Sequence, residues 1–140
     1  MAGMRLRGSI TALVCGAALL APTSALASHS VGTAAQIAWV RSAATRFVTA
    51  ELAHNGAEAC AVLNAPLRGS VHGRSCEQRW DAKLAKLARP ARVKLRAQKR
   101  EISSAAVIVR GDYATIELPT RLMSGPNRFY WTENCWMLMG

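Results

Sequence analysis

General acid–base catalysis needs a carboxylate or imidazole held in an apolar pocket, where burial lifts an acid's pKa towards working pH. The chain offers eight acids and three histidines for that work. Most of the acids have structural readings. Glu51 and Glu58 fit the exposed faces of two helices, and Glu77 and Asp81 fit a helix start. Glu101 follows a basic run and can pair with it, while Asp112 fits a hairpin turn. Glu117 alternates with the apolar face of its strand and reads as outward, unless the sheet curves round a pocket. Glu133 lies in an aromatic stretch and is the acid closest to burial. An enzyme would need Glu117, Glu133 or Tyr113 to point into an enclosed space, and no catalytic set is assigned. His29, His54 and His72 stand apart from one another. No His-x-x-x-His or Cys-x-x-Cys occurs, so neither metal nor cofactor is expected. No G-x-S-x-G, Walker loop or dinucleotide fingerprint is present. Arg110-Gly111-Asp112 matches an integrin-read tripeptide, but it is equally good turn chemistry.

Two other groups of residues carry chemistry. Cys60 and Cys76 flank a Gly/Ser-rich segment that can bend to bring them together as a disulfide. Cys135 sits among apolar residues and reads as a buried thiol, with an intermolecular disulfide as the alternative. Between residues 83 and 100 come Lys83, Lys86, Arg89, Arg92, Lys94, Arg96, Lys99 and Arg100, with no acid among them. This run reads either as a solvated face that also guards a sheet edge, or as a patch for an anionic partner such as an envelope polymer or lipid surface. It lacks interleaved aromatics for base stacking, which argues against nucleic acid.

The N-terminus gives the chain an address. Arg5 and Arg7 precede an uncharged run over residues 10–21, Pro22 breaks it, and Ala25-Leu26-Ala27 places small residues where a signal peptidase cuts. A run of about a dozen residues is short of the ~20 that span a bilayer. Residues 1–27 therefore read as a secretory signal peptide, with cleavage after Ala25 a close alternative. Cys15 lies in the run, but Val14 before it suits a lipoprotein badly. Without Arg5 and Arg7, the 18 basic residues become 16 against 8 acids, a net charge of +8 on residues 28–140. That length is one domain, secreted and soluble on this reading, with a core small enough to gain from a disulfide.

The elements that must position these groups begin after a flexible tail at residues 28–32. Thr33 and Gln36 form a capping box, and Ile37, Val40, Ala44, Phe47 and Val48 recur at helical spacing up to a stop at Asn55-Gly56. A short helix over residues 57–63 carries Cys60, and residues 65–74 form a loop. Ser75 and Gln78 repeat the capping box before Cys76, Trp80, Leu84 and Leu87, and Pro90 closes that helix. Alternation of Val93 and Leu95 allows an edge strand over residues 91–101. Residues 103–110 and 113–118 are strands joined at Gly111-Asp112. Residues 124–127 form a turn. Residues 129–139 are one bulged strand, or two broken near Asn134. Helices followed by antiparallel strands define an α+β fold: N-terminal helices packed on a curved antiparallel sheet.

The long first helix with Phe47, Ala59-Cys60-x-x-Leu63, Cys76, the hairpin from Val107 to Thr115 and the Trp-rich last strand resemble the nuclear transport factor 2-like superfamily. The closer likeness is to its small secreted bacterial members of unassigned function, over residues 33–140. The resemblance implies a cone-shaped roll with a pocket between sheet and helices. Its isomerase-like and cyclase-like members place Asp, His or Tyr in that pocket, and others bind without catalysis. Members often dimerise sheet on sheet, which would make any exposed Phe129, Tyr130 and Trp131 interface residues. The expected function is a non-enzymatic binding or structural domain. It would hold a small apolar ligand in its cone or an anionic envelope component on its basic patch. The alternative is an isomerase or cyclase using a pocket carboxylate. Trp39, Trp80, Trp131 and Trp136 either line the cone or fill it.

Overall fold

The computed structural model describes residues 29–122, 127–132 and 134–139. The expected signal peptide at residues 1–27, Ser28, residues 124–126 of the expected turn, and Glu133 lie outside the described residues.

Helix α1 (Ala34–Leu52) starts at the expected capping box, with Thr33 and Gln36 each accepting from the other's backbone amide. His54 takes a left-handed φ of 55° after it. Asn55 then caps α2 (Gly56–Ala61), accepting from the Glu58 amide at 3.0 Å. The Asn-Gly stop is thus also a start. A four-residue helix, α3 (Ala65–Arg68), replaces the first part of the expected loop, with Pro66 in its first turn. Ser75 caps α4 (Cys76–Ala85) through the second capping box.

The expected edge strand over residues 91–101 is instead helix α5 (Arg89–Ile102). Pro90 does not close a helix but stands in the first turn of this one, where its missing N–H leaves no bond unmade. The segment is also rich in strong helix formers, Ala, Arg, Lys and Gln. Leu95, Gln98 and Ile102 recur at helical spacing and turn inward, while Val93, half of the apparent alternation, is 56% exposed.

Four antiparallel strands follow in the order β1-β2-β3-β4: β1 (Val107–Arg110), β2 (Tyr113–Ile116), β3 (Arg128–Thr132) and β4 (Cys135–Leu138). Both first strands are shorter than expected, and the last stretch is two strands hinged at Asn134, whose φ is 62°. Gly111, with φ 59°, makes the two-residue turn between β1 and β2. Val107, Val109, Ala114, Ile116, Phe129, Trp136 and Leu138 face the helices, and α1 lies across the sheet with its Val40, Phe47 and Val48 in the same core.

Both sheet edges are covered by backbone, which removes the need for charged guards. Val31 exchanges hydrogen bonds with Val107 and Val109, each 2.8 Å, so the expected flexible tail at 28–32 is held at residues 30–31. On the far edge, Leu138 donates to the Val62 carbonyl at 2.8 Å, and Asn64 donates to that of Leu138 at 3.0 Å. The fold is α+β, as expected.

Candidate functional site

Among the described residues, the acid that the fold buries is Glu51, expected on an exposed helix face because of its charge. It is 5% exposed, and burial raises its pKa from 4.5 to about 7 although the Lys83 ammonium opposes that rise. Lys83 Nζ stands 4.0 Å from Glu51 Oε1 and 4.0 Å from the Trp80 ring centroid. The signal was in the sequence: Ala44, Phe47, Val48 and Glu51 continue one helical stripe, and the acid's type masked its register. Of the expected acid–base residues, Glu117 is exposed and Tyr113 is 54% exposed, its ring 5.1 Å from that of Tyr130. Neither points into an enclosed space.

The expected disulfide is present. Cys60 and Cys76 are joined with a Cα–Cα distance of 6.1 Å, tying α2 to α4. The same crossing is drawn close by Gly56, whose amide donates to Asp81 Oδ1 at 2.9 Å. Cys135 is buried, as expected, but it is disulfide-bonded rather than a thiol. Apolar burial cannot tell the two apart, because a thiol and a half-cystine both fit as small apolar groups.

All eight residues of the basic run are exposed. They do not form one patch. Arg89, Arg92, Arg96, Lys99 and Arg100 fall within an arc of about 100° around α5, to one side of the face that carries Gln98 and Ile102. Lys94 stands on the other flank. Lys86 caps α4, and Lys83 is turned to Glu51 and Trp80. Among the described residues, none of the six basic side chains of α5 makes an ion pair.

Among the described residues, buried side chains of the sheet and helices pack into one core cluster. Phe47 meets Trp80 edge-on with centroids 5.3 Å apart, and Trp136 is 4% exposed in the same core cluster. Trp39 and Trp131 instead stack at the margin, 5.5 Å apart. Two pockets among the described residues lie between helices, and no strand residue lines either. Phe129, an expected dimer contact, is fully buried core, whereas Tyr130 and Trp131 are half-buried. No group of three potential metal ligands occurs among the described residues, nor does any helix there suit a membrane crossing.

This is an α+β domain with a disulfide-tied helical layer, one buried near-neutral glutamate and one uncompensated basic helix. Comparison with protein-family models, curated proteins and solved structures gives no match to the chain.

Proposed function

We propose that this chain is an exported, non-enzymatic binding module that attaches to an anionic envelope component through α5. The observation that carries the reading is the arc of Arg89, Arg92, Arg96, Lys99 and Arg100, exposed and without acidic partners among the described residues. A basic residue near an anionic surface contributes about 1 kcal/mol, so five supply useful affinity at low salt. Export is supported by the layout of residues 1–27 and by the Cys60–Cys76 disulfide, which persists in oxidising compartments. The order of helices and then an antiparallel meander supports a nuclear transport factor 2-like cone as the scaffold.

Cosedimentation with phosphatidylglycerol and phosphatidylcholine vesicles, and retention on an acidic polysaccharide, test this at about 20 and 300 mM salt. Binding to the anionic matrices alone, lost at high salt and in Arg92→Glu/Arg96→Glu, is expected. Equal binding to neutral vesicles, or binding indifferent to the double variant, overturns it. Among the described residues, since Glu117 is exposed, the carboxylate left to the alternative of an isomerase or cyclase is Glu51. That residue lines neither described pocket, so this reading stands second.

A further inference from the structure

We propose that a groove on the outer face of α1 binds an amphipathic carboxylate, a molecule with an apolar tail and one anionic head. The groove holds about 640 Å³ between α1, the start of α2 and the last residues of α5. Small-molecule sites span about 300–1,000 Å³ and combine an apolar lining with a few polar anchors. Trp39, Ser42, Arg46 and Thr49 follow one another at three- and four-residue spacing, so one stripe of α1 forms the wall.

The lining selects both halves of the ligand. Trp39 is 44% exposed, yet its ring is fixed by stacking on Trp131 with planes 14° apart. It is an apolar surface presented rigidly to solvent, which favours an apolar occupant. Ala50 and Ile102 are buried and extend the apolar lining. The charged residues of the lining are Arg41, Arg46 and Glu58, two cations against one anion, so the groove is complementary to a negative head.

The two guanidiniums are prepared differently. Arg41 Nε and Nη2 donate to the Ala105 carbonyl at 3.3 and 2.7 Å, which orients the side chain. An arginine has five N–H donors, so three remain to be offered. Arg46 pairs with Glu58 at 3.5 Å, and both side chains are about half exposed. Such a pair is worth about 0.2–1 kcal/mol, so a ligand carboxylate can displace Glu58 at little cost and gain a two-pronged contact.

Dodecanoate below its micelle concentration is the probe, followed by tryptophan fluorescence and calorimetry, with dodecyltrimethylammonium as the same tail on a cationic head. We expect a saturable spectral shift with dodecanoate below about 1 mM, and binding of the cation weaker by roughly tenfold or more. Arg46→Glu should weaken dodecanoate roughly tenfold, and Ala38→Phe, which fills the groove from an exposed helix position, should do the same. Arg92→Glu/Arg96→Glu should leave it unchanged, which separates the groove from the α5 surface. Where Arg46→Glu fails to fold, Ala38→Phe decides alone. No saturable response to dodecanoate, equal binding of the cation, or native affinity in Ala38→Phe overturns the proposal. A shift with phosphatidylglycerol vesicles as well would identify a lipid as a second source of the same chemistry, and one with vesicles alone overturns the free-carboxylate site.

Discussion

Replacing Glu51 by glutamine should remove a pH dependence of stability that the native chain carries. Below about pH 4.5 the carboxyl is protonated in both folded and unfolded chains. Between 4.5 and about 7 only the folded chain keeps the proton, because ionisation there would bury a charge. Unfolding then releases a proton, so stability falls as pH rises through this window. Above about 7 both states are ionised and the loss is complete. One pKa unit corresponds to about 1.4 kcal/mol, so the full loss is about 2–3 kcal/mol, allowing for local relaxation. That is a large share of the roughly 5–15 kcal/mol that holds a domain together. Glutamine keeps the shape and cannot ionise. Urea unfolding at about pH 5, 6.5 and 8.5 should show the native midpoint falling while that of Glu51→Gln stays level, the two converging at low pH. Parallel curves, or a native protein that gains stability as pH rises, would refute the reasoning.

The Cys60→Ala/Cys76→Ala double variant frees a loop of 16 residues' separation and should lose about 3 kcal/mol. Its melting temperature should match that of the reduced native protein more closely than that of the oxidised one. Gly56→Ala would press a methyl on Asp81 Oδ1 and bring it to 2.8 Å from the Glu77 carbonyl oxygen. It should cost about 1–3 kcal/mol by denaturant titration, a loss that a compensating Asp81→Ala reduces in a double-mutant cycle. Raising salt from about 20 to 300 mM should raise the native melting temperature, because α5 repels itself. Arg92→Glu/Arg96→Glu should flatten that response, and a native protein destabilised by added sodium chloride would contradict it.

The parts of the fold that could be read from the sequence are those specified locally. Both capping boxes, the Gly111 turn and the Cys60–Cys76 pair each depend on residues close in the chain, and each stands where expected. The misreadings share a different cause. At Pro90 the residue type admits two local roles, helix end and helix first turn, and only the burial of Leu95, Gln98 and Ile102 chooses between them. Glu51 was placed outside by its charge although its spacing put it on the apolar stripe. The groove was illegible for a third reason: Trp39 gains its rigidity from Trp131, a contact between residues far apart in sequence.

The change from strand to helix at residues 89–102 alters what its charges mean. As an edge strand, lysine and arginine would be explained by keeping other chains away. That role is already filled by Val31 and by residues 62–64. On a helix the same residues oppose the element that carries them. Arg92 and Arg96, and Arg96 and Arg100, stand four apart; Arg89 and Arg92, and Arg96 and Lys99, stand three apart. Each such like-charged pair costs about 0.2–0.5 kcal/mol, and Glu101 is the only acid of the helix. Its N-terminus has neither a side-chain cap nor an acid in the first turn. The helix is therefore held by its inward face, where Gln98 Nε2 donates to the Thr120 carbonyl at 3.2 Å. A face needed only for solubility would be more stable with acids interspersed. An anionic surface laid against α5 turns the repulsion into attraction, so the cost borne by the free chain is returned on binding.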